Sequence, residues 1–226
     1  MAEQEYKENP GIPYEGIKWA VERWEKKHII IPDEQRKIYT AIASRSEGKS
    51  IVDVGCSFGV GSNILAHRAM GVWGLDLEQE LVDFARALYA SPRLTFDQMD
   101  ILNPPATRPF ATFDVVCFLE IIEHLPRDKW DSAILNLKRF FKPTTVGYIS
   151  TPNRNAPQIN SEHPNNTAHT YEATAGELYE FFIKHFQSVT MFGVEKLDTF
   201  EQTETVDGNS VETPILIKVE GVILSG

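Results

Sequence analysis

Along this chain, short apolar runs alternate with stretches in which apolar residues return every three or four positions, and that alternation sets the predicted elements. β-branched and apolar runs predict strands at 51–54, 72–76, 94–97, 113–119, 145–150, 188–194 and 213–223. Helical spacing between them predicts helices over 60–69, 78–89, 127–140 and 174–184. Ahead of the first strand, Ile17, Ala20, Val21 and Trp24 recur at helical spacing from Tyr14. A second short helix starts at Pro32, carries Ile38, Tyr39 and Ile42, and stops near Gly48. Residues 1–13 read as a loose arm.

Repeated strand–helix units with short connections predict an α/β fold, a doubly wound and mostly parallel seven-stranded sheet, Rossmann-like, with helices on both faces. The last two strands are joined without a helix, across the turn signal Asp207-Gly208, so one late strand must run antiparallel. No internal repeat or linker divides the chain. Residues 1–47 read as an N-terminal arm and helical cap, and 48–226 as one compact unit. The stretch 151–170 is longer than a connection requires, which marks it as functional. The aromatic trio Tyr179, Phe181 and Phe182 reads as core against the sheet, and Phe140 and Phe141 as packing.

Composition narrows the class. With 226 residues, 42% apolar and 24% charged, the chain suits one soluble α/β domain with a full core. No run of 18 apolar residues is present, so no membrane span is expected, and the acidic start lacks the layout of a signal peptide. Cys56 and Cys117 sit at strand ends and read as small buried hydrophobes, which fits a reduced, cytoplasmic setting. The net charge of −10 argues against tight non-specific binding to a phosphate backbone. The five basic and two acidic side chains of 127–142 read as a solvated helix face.

The chemistry starts at 51–65, IVDVGCSFGVGSNIL, where a strand ends in an acid and breaks into Gly55, Gly59 and Gly61 before a helix. Such a turn lets a ligand lie against bare backbone. Twenty-one residues after Gly55 a second strand ends at Asp76, whose carboxylate can accept both hydroxyls of a ribose. A dinucleotide fingerprint needs G-x-G-x-x-G, and no third glycine stands in place here. Asp53, just before the turn, would repel a pyrophosphate and suits a cationic or zwitterionic ligand. S-adenosylmethionine, with a sulfonium, an ammonium and no phosphate, fits those residue types better than NAD.

In these motifs the chain resembles the class I S-adenosylmethionine-dependent methyltransferases over most of 48–195. D-V-G-C-S-F-G-V-G resembles their first motif, with Ser57 where glycine is usual, a place a side chain tolerates if its backbone keeps φ below zero. Gly74-Leu75-Asp76 resembles the second motif, Gln98-Met99-Asp100-Ile101 the adenine site, and Phe113-Asp114-Val115-Val116 the start of the fourth strand. The resemblance implies cofactor contacts from Asp53, Gly55, Gly59, Asp76, Leu77, Asp100, Ile101 and Leu119. It also implies that the N-terminal helix bearing Tyr14, Arg23 and Trp24 caps the cofactor. The competing reading makes Trp24 a helix core anchor.

The fourth strand runs into Leu119-Glu120-Ile121-Ile122-Glu123-His124-Leu125. If that stretch forms a helical turn, Glu120, Glu123 and His124 share one face at the carboxyl end of the sheet. Two readings follow: the group binds a divalent cation, or His124 is a general base held by a carboxylate. E-x-x-E-H with a later histidine resembles the ubiquinone-pathway O-methyltransferases, whose S-T-x-N-R-N is echoed by Ser150 to Asn155, and the small-RNA 3′-terminal 2′-O-methyltransferases. That resemblance implies Glu120, Glu123, His124 and His169 as ligands of Mg, Mn or Zn, with Glu120 and His124 as catalytic residues. His169 is favoured over His163 because Thr170-Tyr171 and the next helix anchor it. In the plainer alternative, E-x-x-E-H only begins the helix after the strand.

The expected activity is methyl transfer to a hydroxyl oxygen of a small molecule, a sugar or a lipid precursor, with an RNA end as a further acceptor. Two alternatives remain, a nicotinamide-dependent oxidoreductase and a non-catalytic nucleoside-binding module.

Overall fold

The computed structural model describes residues 31–105, 112–155, 169–193 and 215–223. The predicted helix from Tyr14, the histidine at 163 and the turn at 207–208 lie outside them.

Helix α1 (Asp33–Ser44) follows Pro32 and carries Asp33 and Glu34 in its first turn, where acids complement the helix dipole. Then come β1 (Ser50–Val54), α2 (Val60–Ala66), β2 (Gly71–Asp76), α3 (Gln79–Tyr89), β3 (Leu94–Gln98) and β4 (Phe113–Leu119). After β4 stand two short 3₁₀ turns (Ile122–His124 and Arg127–Lys129), α4 (Trp130–Leu137), a third 3₁₀ turn and β5 (Phe141–Thr151). The described chain closes with α5 (Ala175–Phe182), β6 (Phe186–Gly193) and β7 (Ile215–Val222).

The seven strands form one sheet in the order β3-β2-β1-β4-β5-β7-β6. β1 pairs in parallel with β2 and β4, β2 with β3, and β4 with β5. Only β7 is antiparallel, to both β5 and β6, which answers the expectation of one reversed late strand. The order reverses direction between β2–β1 and β4, so the carboxyl ends of β1, β2 and β4 surround a crevice.

Each sheet face buries its own core. On one, α1, α2 and α3 place Ile42, Leu65 and Phe84 against Ile51, Cys117 and Phe96. On the other, Trp130, Ile134, Phe140 and Phe182 meet Val52, Phe118 and Ile217. Phe181, Phe182, Phe140 and Phe141 are buried as expected, and both cysteines are free and buried. Tyr179 is a correction: it is 44% exposed, because Leu178, Phe181 and Phe182 take the inward face of α5 and 179 turns outward.

Two boundaries also shift. The helix predicted over 127–140 is α-helical only over Trp130–Leu137, with 3₁₀ turns at both ends. β5 begins at Phe141 rather than 145, because Phe141 pairs with Phe113 before a register shift, and the Thr145 hydroxyl fastens the irregular stretch to Lys142 N and Phe113 O. No described helix is long and apolar enough to cross a membrane.

Candidate active site at the carboxyl ends of β1, β2 and β4

The crevice holds a cavity of about 720 Å³. Its floor is the turn after β1. Gly55 has φ 82°, a left-handed conformation that glycine adopts without a Cβ penalty, and a Cβ there would lie 2.1 Å from Ile121 Cδ1. The amides of Gly55 and Cys56 donate to Leu75 O at 2.7 and 2.9 Å, that of Ser57 to Asp76 Oδ2 at 2.7 Å, and that of Gly59 to Cys56 O at 2.9 Å. Ser57 has φ 49°, against the expected negative value. The pull of its N–H onto Asp76 holds a serine in the left-handed region at a cost of roughly 1–2 kcal/mol.

The acid at the end of β2 is thereby fixed in place. Asp76 Oδ1 also accepts from Glu78 N at 3.1 Å, and burial raises its pKa while those two amides oppose the shift. Leu77, Asp100, Ile101 and Leu119 join Gly55 and Asp76 on the wall. Asp100 folds onto its own loop, accepting from Leu102 N at 2.8 Å and Asn103 Nδ2 at 2.8 Å, while Asn136 of α4 donates to Ile101 O at 2.8 Å.

Asp53 and Gly59, expected among the cofactor-binding residues, lie behind the turn rather than on the cavity wall. Asp53 is fully buried beneath the turn, where it accepts from Ser62 Oγ at 2.6 Å and Tyr39 Oη at 3.2 Å. Burial outweighs those hydrogen bonds and lifts its pKa to about 6. Gly59 caps α2 at φ 78°, packed against Ala85 and Phe96.

The acids after β4 separate in a way the sequence did not suggest. Only Ile122–His124 form a helical turn, and Glu120 stands outside it at φ 56°. Its amide donates to Ser150 O at 2.9 Å and its Oε1 accepts from Ser150 Oγ at 2.7 Å, a consequence of the Leu119–Ser150 register. Glu123 is buried and accepts from Thr151 Oγ1 at 3.0 Å. Its carbonyl receives Thr170 N at 2.7 Å and Tyr171 N at 3.2 Å, which brings the 169–171 segment across the crevice. His169 therefore faces His124, with ring centroids 4.9 Å apart, and its Nδ1 meets Glu172 Oε1 at 2.7 Å.

One ligand atom each from Glu123, His124 and His169 lies within 4.8 Å of the others. Glu120, the fourth member of the expected set, stands outside that trio on the same cavity wall, where its carboxylate accepts from Ser150 Oγ. Burial drives the pKa of both Glu120 and Glu123 upward, and for Glu123 the Glu120 charge adds to the rise. Paired buried carboxylates beside imidazoles need a compensating cation or a shared proton, so the donor set fits a divalent metal ion.

Sequence reasoning left Ser150, Thr151 and Glu172 without roles. Glu172 lies three residues from His169 and was legible as a local pair. The two hydroxyls reach the glutamates only through strand pairing 30 and 28 residues away, which no local pattern encodes.

Residues 51–144 match a family model described as a methyltransferase domain. The chain is 33% identical over 159 residues to a probable S-adenosylmethionine-dependent methyltransferase of Mycolicibacterium smegmatis, covering 70% of this chain and 56% of that one. It is 36% identical over 110 residues to a ubiquinone biosynthesis O-methyltransferase of Vibrio campbellii, covering 48% of this chain and 46% of that one. Among solved structures, the small RNA methyltransferase HEN1 superposes with a TM-score of 0.64 at 21% identity, over 83% of this chain and 25% of that chain. The chain thus spans about half the length of the curated relatives it matches.

Proposed function

This chain belongs to the class I S-adenosylmethionine-dependent methyltransferase superfamily, and we propose that it moves a methyl group from S-adenosylmethionine to a hydroxyl oxygen of a small molecule, a sugar or a lipid precursor. The observation that carries this reading is the charge of the cavity wall. Asp76, Glu78, Asp100, Glu120 and Glu123 line it, and no lysine or arginine does among the described residues. A donor with a sulfonium, an ammonium and one carboxylate suits such a wall, whereas the pyrophosphate of a nicotinamide dinucleotide would be repelled. The turn supports the same choice, since the amides of Gly55, Cys56, Ser57 and Gly59 are taken by protein acceptors rather than presented to a phosphate.

In this reading Asp76 takes the ribose hydroxyls, Leu77, Ile101 and Leu119 pack on the donor's apolar parts, and Asp100 takes the adenine amine. The acceptor oxygen forms its bond to the methyl carbon as the C–S bond breaks, with the bonding pair passing to sulfur and the hydroxyl proton to His124. Alignment supplies most of the acceleration, as in other two-reactant reactions held in line. In the metal-assisted form of this reading His124 is a ligand rather than the base: Glu123, His124 and His169 would hold a divalent cation, which supplies a Lewis acid that lowers the pKa of the acceptor hydroxyl, and the proton passes to solvent. Glu120, held by Ser150, borders the same end of the cavity. The net charge of −10 favours a small acceptor over a polyanionic one, and the ubiquinone-pathway relative supports oxygen as the methylated atom.

Titration calorimetry tests the reading. S-adenosylmethionine and S-adenosylhomocysteine are expected to bind, NADH is not, and Asp76→Ala is expected to weaken both sulfur compounds at least about tenfold. Binding of neither compound overturns the assignment. With S-adenosylhomocysteine present, Mn²⁺ is expected to bind wild type and to bind Glu172→Ala about tenfold more weakly, because the His169 ring loses its hydrogen-bond partner. No Mn²⁺ uptake by wild type removes the metal.

A further inference from the structure

Glu120 sits in the left-handed region at φ 56°, where its amide donates to Ser150 O at 2.9 Å and its Oε1 accepts from Ser150 Oγ at 2.7 Å. A residue other than glycine keeps that conformation only where its surroundings enforce it, and such strain gathers at functional sites. The residue that follows this bend is Ile121, whose side chain lies over the glycine turn. A Cβ on Gly55 would lie 2.1 Å from Ile121 Cδ1 and 2.5 Å from Ile121 Cγ1. Ile121 therefore fills the space that the missing side chain leaves.

Ile121 is tied to both halves of the cavity. Gly55, beneath its side chain, donates to Leu75 O at 2.7 Å, one residue before Asp76. Its own carbonyl receives His124 N at 3.0 Å, within the cluster of Glu123, His124 and His169. A donor with its ribose on Asp76 and its methyl aimed at an acceptor oxygen beside that cluster must place its sulfur between the two. Ile121 stands there, half-buried on the cavity wall. Its δ-carbon already rests on backbone, so it has no room to withdraw from a ligand.

We propose that Ile121 sets the size limit for the group carried on the sulfonium, so that the site takes a methyl and rejects larger alkyl groups. The inference rests on the reading of the cavity as an S-adenosylmethionine site. Rejection is steric, because closely packed atoms leave no volume for added carbons unless a neighbour moves. The branched Cβ of isoleucine restricts χ1, which denies the side chain an easy swing aside. Room for a larger group opens only when the isoleucine itself is cut back. A residue that merely packed on the turn would leave binding indifferent to what the sulfur carries.

The test is calorimetry on wild type, Ile121→Val and Ile121→Ala. The probes are S-adenosylhomocysteine, S-adenosylmethionine, and its sulfonium analogues with allyl or benzyl in place of methyl. Wild type is expected to bind the benzyl compound at least roughly tenfold more weakly than S-adenosylmethionine. Ile121→Ala is expected to narrow that gap at least about fivefold, with S-adenosylhomocysteine held within about twofold of wild type. Ile121→Val loses only Cδ1 and is expected to gain chiefly for the allyl compound. Thermal melting checks that both variants fold, and Ile121→Val decides the outcome if Ile121→Ala does not. Benzyl and methyl compounds bound equally by wild type, or an unchanged ratio of bulky to methyl compound in the folded variants, overturns the role of Ile121. Failure of every probe on wild type instead overturns the cavity's assignment to this cofactor.

Discussion

Asp53, next to last in β1, has its carboxylate fully buried, accepting from Tyr39 and Ser62. Its pKa rises from 3.8 to about 6 because burial disfavours the charge more than two hydroxyls favour it. The folded state therefore holds this proton more tightly than the unfolded chain, and the stability it brings is complete below pH 4 and lost as pH rises through 6. We expect the stability of wild type relative to Asp53→Asn, measured by urea unfolding, to fall by about 2–3 kcal/mol between pH 4 and pH 7. A flat difference across that range would mean that Asp53 is ionised without penalty. The same residue fixes the turn from below: its hydroxyl partners come from α1 and α2, so the acid beneath the glycines holds three elements in register while Asp76, at the end of β2, faces the cavity.

The end of β5 and the start of α5 together assemble the acidic side of the crevice. Ser150 and Thr151 alternate across the strand, and each hydroxyl holds one glutamate of the turn after β4. Arg154, from the same segment, donates to Glu177 at 2.8 Å and lies 5.6 Å from the centre of the Tyr171 ring. Tyr171 donates to Glu177 at 2.8 Å, and a capping box joins Thr174 and Glu177 at the first turn of α5. His169 is thus carried on a segment tied at Glu123 on one side and at the helix cap on the other. Thr174→Ala is expected to cost about 1 kcal/mol in urea unfolding, and a loss below about 0.3 kcal/mol would remove the cap from this account.

At the scale of the molecule, two cores on opposite sheet faces hold the strand ends that form the crevice, so a ligand bound there touches elements from both. A ligand that binds only the folded state adds its mass-action term to stability. S-adenosylhomocysteine at one hundred times its dissociation constant is expected to add about 2.7 kcal/mol and raise the melting temperature, while NADH at the same concentration leaves it unchanged. A melting curve indifferent to both would argue against a preformed site.

What the sequence determined by itself was everything written in local period and spacing. The strand–helix alternation specified a doubly wound sheet, the lack of a helical period between the last strand patterns required one reversed partner, and the Gly55 turn with Asp76 at the next strand end outlined the crevice, because each depends on neighbours along the chain. What only the tertiary structure decided was which side chains face that crevice. Asp53 and Gly59 lie behind the turn, Glu120 is handed to Ser150 by the Leu119–Ser150 register, Glu123 and His169 meet across 46 residues of chain, and Tyr39 of α1 reaches the end of β1. Those placements follow from strand register and helix docking, which bring together residues far apart in sequence and so leave no period for a local pattern to carry.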